Sequence, residues 1–137
     1  MSQFSMSGKN VLITGASSGF GRHFAGVLAE AGASVVLGAR RMDKIEARVK
    51  ELNDSGCSAW GFELDVREPE SVASFMQASE DAGGPIDVIV NNAGVESGAK
   101  TFTMIDEDDW DYVMDTNLKS VWRIAKMYTE RMAANSQ

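Results

Sequence analysis

Short apolar runs recur along this sequence, and each one stops at turn-forming residues. Three such runs occupy positions 11–13, 34–37 and 86–90. Runs of this length are typical of strands that are buried on both faces of a parallel sheet. Alternating apolar residues predict one more strand, which carries Trp60, Phe62 and Leu64 and ends at Asp65. The pattern therefore predicts four strands.

Helical spacing fills the intervals between these strands. Apolar residues recur at steps of three and four in segments 19–31, 42–53, 72–76 and 107–134. This spacing places apolar side chains on one face of a helix. In the first segment, the residues expected to share the buried face are Phe20, Phe24, Val27 and Leu28. In the last and longest segment, Asn117 lies on the apolar stripe.

Strands and helices alternate four times along the chain. Alternation of this kind predicts an α/β fold, in which parallel strands are joined by right-handed helical crossovers. The 137 residues suit one domain, and no internal repeat or linker divides them. We therefore expect a single domain over 1–137.

Composition narrows the classes of partner. The net charge of −7 argues against nucleic acid, because phosphate backbones are bound by clustered Lys and Arg. No apolar run approaches the roughly 20 residues of a membrane span. The first ten residues are polar and lack the apolar core of a signal peptide. We expect a cytoplasmic protein with no nucleic-acid or membrane partner.

The chain has one cysteine, Cys57, and one histidine, His23. A single cysteine excludes an internal disulfide and a cysteine-based zinc site, and we predict no metal site. For Cys57, a buried or half-buried thiol is favoured over a catalytic one. His23 falls within the first predicted helix, where a packing or surface role is expected.

A glycine-rich turn, residues 14–21, lies between the first strand and the first helix. Its position predicts a distinct task for each glycine: Gly15 permits a tight turn, Gly19 lets the backbone approach a pyrophosphate, and Gly21 lets the helix pack on the sheet. The alternative is a glycine-rich loop that binds no ligand. The placement between strand and helix favours a dinucleotide site.

The same turn opens the first helix, whose free N–H groups and positive dipole end attract phosphates. Ser17 and Ser18 add hydroxyl donors, and Phe20 completes the turn between the last two glycines. We predict that all of these residues contact the cofactor.

Two arginines follow the second strand. A site for NAD usually carries an acid about 20 residues beyond the glycine turn, where it binds the ribose 2′-hydroxyl. Here Ala39 takes that place, and Arg40 and Arg41 follow it. A guanidinium can bind a 2′-phosphate through paired donors, which favours NADP(H) over NAD(H). The alternative is that both arginines begin a solvated helix.

Polar residues also end the third and fourth strands. Asp65 could accept a hydrogen bond from an adenine amine, or it could cap a helix that begins near Glu68. Segment 91–94 follows the fourth strand. The ends of all four strands would then line one crevice, where ligands bind in open α/β sheets.

These motifs together resemble the short-chain dehydrogenase/reductase family. The TGxxxGxG turn is 14–21, the adenine-pocket Asp-Val is Asp65-Val66, and the NNAG motif is 91–94. The helix that follows Asp109-Trp110 carries Asn117, which matches the Asn of the family's catalytic tetrad. The four motifs occur in the family's order and span essentially the whole chain.

The resemblance implies a Rossmann-type doubly wound parallel sheet with strand order 3-2-1-4. It implies hydride transfer between a nicotinamide dinucleotide and a small carbonyl or alcohol substrate, with Val66, Asn92, Ala93 and Gly94 among the cofactor contacts. Segment 38–41 is similar to members that prefer NADP, whereas Ser18 stands where some of those members have a basic residue.

The resemblance stops before the rest of the tetrad. The family's Ser and its YxxxK pair are absent, since Tyr128 is followed four residues later by Met132. The chain therefore resembles the N-terminal half of a member, truncated before strand 5. We expect it to be inactive alone, and we expect Asn117 to have only a structural part without the Lys. A non-catalytic binding module and a structural fragment remain the alternatives.

Truncation would expose two apolar surfaces. The fourth strand would become an open edge, and the stripe of the final helix would lose its cover. Open edges and apolar patches favour association. We therefore expect a homo-oligomer formed through that helix, that edge, or both.

Overall fold

The computed structural model describes residues 4–98 and 100–135, so the outermost positions of the predicted domain, 1–3 and 136–137, lie outside the described residues. The strands are β1 (Asn10–Thr14), β2 (Ser34–Ala39), β3 (Ser58–Glu63) and β4 (Val88–Val90). The helices are α1 (Gly19–Glu30), α2 (Met42–Asp54), α3 (Pro69–Gly83), α4 (Glu107–Met114) and α5 (Ser120–Asn135). A 3₁₀ turn covers Phe102–Met104, and a π-helical turn, Asp115–Lys119, separates α4 from α5.

The four strands form one parallel sheet in the order β3-β2-β1-β4. This confirms the predicted α/β class and strand order. Leu12 in the middle of β1 pairs with Val36 on one side and with Ile89 on the other. Because the strands are parallel, the turns that follow them all emerge at the same edge of the sheet.

Helices cover both faces of this sheet. Val11 and Ile13 point to one face, where they pack with residues of α1 and α2. Leu12 between them points to the other face, where it packs with residues of α3 and with Ile124 of α5. Side chains alternate across a strand, so the three central residues of β1, at 11–13, must all be apolar to serve both layers. This requirement explains the continuous apolar run in the sequence.

The buried face of α1 differs from the predicted one. Phe20 is 75% exposed, and Phe24 and Val27 are exposed as well. Of the four predicted residues, Leu28 alone is half-buried against the core. The buried positions are the small residues Gly21, Ala25, Gly26 and Ala29. A Cβ at Gly21 would lie 2.4 Å from the carbonyl oxygen of Gly15. The helix therefore approaches the turn too closely for large side chains, and small residues form the contact.

Two strand boundaries also differ from the prediction. Strand β4 begins at Val88 rather than at position 86, and the carbonyl of Ile86 accepts a hydrogen bond from the Tyr128 hydroxyl at 2.8 Å. Strand β3 ends at Glu63 rather than at Asp65. Side-chain pattern did not reveal these ends because buried residues continue past the paired backbone, as at Ile86 and Leu64.

The predicted single helix over 107–134 is interrupted. Between α4 and α5, the π-helical turn shifts the register of the side chains. Ile124 is buried against the sheet, whereas Trp110, Leu118 and Trp122 are exposed, the last by 61%. The predicted apolar stripe is therefore divided between two helices, and part of it is exposed. Asn117, placed on that stripe by the sequence pattern, lies exposed within the π-helical turn.

No helix in 4–98 or 100–135 is both long enough and apolar enough to cross a membrane.

Two buried glycines of α1 test the close approach of this helix. We expect Gly21→Ala to lower the free energy of unfolding by about 2 kcal/mol, because its Cβ would overlap fixed backbone. Gly26→Ala is the matched control, since its Cβ would meet only the far end of the Arg48 side chain and it gains about 1 kcal/mol of helix propensity. Urea unfolding measures both. Equal stability of the two variants would contradict this packing.

Candidate functional site

A groove with a volume of about 480 Å³ runs along the carboxyl edge of the sheet. The residues that line it come from the turns after all four strands and from α4 and the π-helical turn. They are Gly15, Ser17, Ser18, Ala39, Arg40, Arg41, Leu64, Asp65, Val66, Arg67, Asn92, Ala93, Gly94, Val95, Tyr112 and Thr116. The parallel sheet therefore gathers residues that are up to a hundred positions apart in sequence.

Most of the predicted site residues meet in this groove. Those that line it are Gly15, Ser17, Ser18, Arg40, Arg41, Asp65, Val66, Asn92, Ala93 and Gly94. Those that do not are Gly19, Phe20, Gly21 and Asn117. His23 is exposed on α1, outside the lining, and Cys57 is half-buried. Among the described residues, no three His, Cys, Asp or Glu side chains lie close enough together to hold a metal ion.

The glycine turn needs glycine for three different reasons. Gly15 has a φ of 65°, and a Cβ there would lie 2.8 Å from the Ala93 Cα. Gly19 has a φ of 55° but nothing within 4 Å of its Cβ position, so its face of the turn is open. Gly21 has ordinary helical geometry and is required by its close contact with Gly15. The Phe20 side chain points away from the sheet into solvent.

Thr14 joins the glycine turn to the end of β4. Its side-chain oxygen accepts hydrogen bonds from the backbone N–H groups of Asn92 and Ala93, at 3.1 and 3.0 Å. In return, the side-chain Nδ2 atom of Asn92 donates to the carbonyl oxygens of Thr14 and Gly15, both at 3.1 Å. Thr14 is only 1% exposed, so this junction is shielded from water. The sequence placed both residues in motifs but did not reveal their contact.

The two arginines after β2 have different surroundings. The Nη2 atom of Arg41 donates to the hydroxyl oxygens of Ser17 and Ser18, both at 3.1 Å. Arg41 therefore contacts the glycine turn, and the interpretation that both arginines only begin a solvated helix does not describe it. Arg40 is exposed, lines the groove and makes no hydrogen bond within the described residues.

Asp65 is held by Arg67, two residues further along. Its Oδ1 accepts from the backbone N–H and the Nε of Arg67 at 3.0 and 3.2 Å, and its Oδ2 accepts from Nη2 at 2.9 Å. These hydrogen bonds hold the pKa of the Asp65 carboxyl below its ordinary value. Helix α3 begins at Pro69, and no side chain caps it. The alternative that Asp65 caps this helix is therefore wrong.

Arg67 and Tyr112 are groove residues that the sequence analysis missed. The Arg67 guanidinium lies 5.1 Å from the centre of the Tyr112 ring, within reach of a cation–π interaction. The only sequence signal is the spacing of Asp65 and Arg67 after a strand, which lets the longer side chain fold back. Nothing in the sequence pattern joins either residue to Tyr112, which is far along the chain.

Asn117 contacts the loop that follows segment 91–94. Its Nδ2 donates to the carbonyl of Val95 and its Oδ1 accepts from the N–H of Val95, both at 2.7 Å. This two-way bond ties the π-helical turn to the end of the groove. The partner of Asn117 within the described residues is thus backbone, in keeping with the structural part expected for it.

The chain is similar to known proteins over most of its length. A family model described as short chain dehydrogenase matches residues 9–137. The chain is 49% identical over 115 residues to a protein of Streptomyces virginiae named as a ketoacyl reductase of the monensin polyketide synthase. That match covers 84% of this chain and 44% of the relative.

The chain is also similar to solved structures over most of its length. An actinorhodin polyketide ketoreductase with NADPH matches at a TM-score of 0.82 and 34% identity, over 88% of this chain and 46% of that one. A short-chain dehydrogenase/reductase from Burkholderia phymatum in complex with NAD matches at a TM-score of 0.86 and 31% identity, over 93% and 45%. The chain therefore spans about half the length of the proteins it matches.

The Thr14 junction can be tested through its acceptor atom. Thr14→Val keeps the shape of the side chain but leaves two buried N–H groups without their acceptor. We expect the free energy of unfolding to fall by about 2 kcal/mol, within the range for unsatisfied buried donors. Thr14→Ser keeps the oxygen, and we expect it to lose about 1 kcal/mol at most through the missing methyl. In chemical denaturation, a valine variant as stable as the serine variant would contradict the junction.

Proposed function

We propose a function from one premise: this chain belongs to the short-chain dehydrogenase/reductase family, an oxidoreductase family. We propose that its groove holds a nicotinamide dinucleotide, and NADP(H) in preference to NAD(H). The observation that carries this proposal is the glycine turn from Gly15 to Gly21, which opens into a groove that contains Arg40 and Arg41. Residues 1–137 would act as one cofactor-binding domain.

The pyrophosphate would lie at the start of α1. Helix α1 begins at Gly19, and its first N–H groups have no partners inside the helix. The open face at Gly19 leaves room for phosphate oxygens to approach the backbone. Ser17 and Ser18 would add hydroxyl donors from the same turn. Gly21 and Phe20 would act through the backbone path of the turn, since neither side chain position lines the groove.

The preference for NADP(H) rests on the end of β2. Ala39 offers no carboxylate to bind a ribose 2′-hydroxyl or to repel a 2′-phosphate. Arg40 makes no hydrogen bond within the described part of the chain, so its donors are available to a phosphate. Arg41 already contacts Ser17 and Ser18, where it would add positive charge beside the pyrophosphate. Relatives solved with NADPH and with NAD show that both cofactors occur among similar proteins.

The adenine would lie between the ends of β2 and β3. The carboxylate of Asp65 faces the groove and is ionised at neutral pH, so it can accept a hydrogen bond from the exocyclic amine. Val66, Asn92, Ala93 and Gly94 complete that wall of the groove towards β4.

The chemistry of the full enzyme would be hydride transfer at a small carbonyl or alcohol carbon. The bound cofactor supplies the hydride or accepts it, while the protein positions it. The ketoacyl reductase and ketoreductase among the similar proteins favour a carbonyl substrate. Of the family's tetrad, only Asn117 is present in these 137 residues. We therefore propose that this chain binds cofactor and does not catalyse alone. A purely structural role is the alternative.

A second part of the proposal concerns association with another copy of the chain. An apolar patch on the end of α4, the π-helical turn and α5 is formed by Met114, Leu118, Val121, Trp122 and Ala125, with Asp115 and Lys119 beside it. Within the described residues, β4 pairs only with β1, so its other edge is open. Exposed apolar surface of this kind favours an interface. We propose a homo-oligomer formed through this patch, through the edge of β4, or through both.

Titration of NADPH and NADH against tryptophan fluorescence tests the cofactor proposal. We expect the chain to bind NADPH more tightly than NADH. Arg40→Ala should weaken NADPH binding by about tenfold, the effect of losing one charge-assisted hydrogen bond, and should leave NADH binding unchanged.

Lys50→Ala provides the matched control for charge, because Lys50 pairs with Asp54 on α2 and does not line the groove. It should leave the preference for NADPH intact. Tighter binding of NADH by the unmodified chain would overturn the preference. Failure to bind either cofactor would favour the structural alternative.

The oligomer proposal is tested by light scattering at micromolar concentration. We expect a species larger than a monomer, and we expect Trp122→Glu to shift it towards the monomer, because a carboxylate in an apolar interface is costly. Phe102→Glu is the control, since Phe102 is exposed but lies outside the patch. A monodisperse monomer before any substitution would contradict both proposed surfaces.

A further inference from the structure

Arg67 lines the groove, although no motif in the sequence includes it. Three of its nitrogen atoms donate to the Asp65 carboxylate, from the backbone, from Nε and from Nη2. The side chain of Arg67 is about one-third exposed and that of Asp65 is one-quarter exposed, so the pair borders the open groove. It is a surface-lining pair with fixed geometry rather than a mobile ion pair.

The Arg67 guanidinium also has an aromatic neighbour. The ring of Tyr112, from α4, lies 5.1 Å from the centre of the guanidinium. The neighbouring residue, Val66, is fixed through its carbonyl, which accepts from Arg123 of α5 at 2.9 Å. The segment from Asp65 to Arg67 is therefore held by two elements outside the sheet. The three hydrogen bonds from Arg67 restrict rotation of the Asp65 carboxylate.

Arg67 does not use every hydrogen-bond acceptor position of the Asp65 carboxylate. A carboxylate offers about four acceptor positions, two on each oxygen. Arg67 uses two positions on Oδ1 and one on Oδ2. The remaining acceptor position belongs to Oδ2 of a side chain that lines the groove and is one-quarter exposed.

We propose that Arg67 is a positioning residue for base recognition: it fixes the Asp65 carboxylate so that the vacant acceptor position of Oδ2 meets the exocyclic amine of adenine. This inference rests on the proposed cofactor site. It adds a determinant of base identity that is separate from the arginines near the phosphates.

The geometry favours a base with a donor at its C6 position. Adenine carries an amine there, whereas hypoxanthine carries a carbonyl, which would bring a second acceptor against Oδ2. A carboxylate that cannot rotate away enforces this difference. Without Arg67, Asp65 could turn aside and tolerate either base, so base discrimination would fall.

The charges around Asp65 predict the pH dependence. Arg67 and, at longer range, Arg40 at the end of β2 lower the pKa of Asp65. Hydrogen bonding to Asp65 is the main cause that raises the pKa of the Arg67 guanidinium, and Tyr112 and Glu68 nearby raise it further. Arg123 of α5 donates to the backbone carbonyl of Val66. Removal of Arg67 should therefore raise the pKa of Asp65. Cofactor binding, which needs the carboxylate, would then be lost at a higher pH as the solution is acidified.

The test compares NADPH with its hypoxanthine analogue in equilibrium titrations of the chain. We expect Arg67→Ala to weaken NADPH binding by about three- to tenfold and to reduce the ratio between the two ligands by a similar factor, in line with the loss of a charge-assisted contact. Arg67→Lys keeps the charge but not the paired donors, and it should restore little of the ratio.

Arg131→Ala is the matched control. Arg131 pairs with Glu80 at 2.6 Å with similar exposure, and neither residue lines the groove. It should leave the ratio unchanged. If Arg67→Ala binds NADPH as tightly as the unmodified chain with the same ratio, or more tightly, Arg67 competes for Asp65 and the inference is overturned. If the unmodified chain binds neither ligand, the proposed cofactor site fails together with it.

A second measurement needs no cofactor. In a carbon-13 NMR titration, the Asp65 carboxyl should have a pKa below the ordinary range in the unmodified chain and in Arg131→Ala. It should shift upwards in Arg67→Ala while the other carboxyl groups stay in place. An unmoved Asp65 titration in a folded Arg67→Ala variant would show that Arg67 does not hold the carboxylate.

Discussion

The buried hydroxyl of Thr14 accepts hydrogen bonds from the amides of Asn92 and Ala93, and this junction fixes the glycine turn against the end of β4. Asn92 completes the junction by donating to the carbonyls of Thr14 and Gly15. The close packing of α1 against the glycine turn depends on the same junction, because Gly15 and Asn92 are the nearest neighbours of Gly21 in α1. Without this junction, only the pairing of β4 with β1 would position this wall of the groove relative to the start of α1.

The charges of the groove are divided between its two ends. Arg41 lies over the serines of the glycine turn, and Arg40 next to it has no partner within the described residues. At the end of β3, Arg67 instead neutralises Asp65 and holds it in place. One arginine is thus available to a ligand and another is used to orient a carboxylate. Net charge alone would not reveal this, since the chain as a whole carries −7.

The sequence predicted the fold well, because each requirement of a buried parallel sheet produces a local sequence pattern. The apolar run through Leu12 and the glycine turn are two such patterns. The buried face of α1 was predicted wrongly because hydrophobicity favours Phe20, whereas the close contact with Gly15 demands small residues. The break in the last helix was missed because a π-helical turn adds a residue without changing composition. The contact between the Arg67 guanidinium and the Tyr112 ring depends on tertiary structure, so no local sequence pattern could predict it.

The central claim is that the groove along the carboxyl edge of the sheet binds NADP(H). The most direct test is the amide NMR spectrum of nitrogen-15-labelled chain during addition of NADPH. Saturable shifts at Gly15, Ser17 and Gly19, at Arg40, and at Val66 are predicted, with little change along the outer face of α5. Shifts confined to α5, or an unchanged spectrum at saturating NADPH, would contradict the claim.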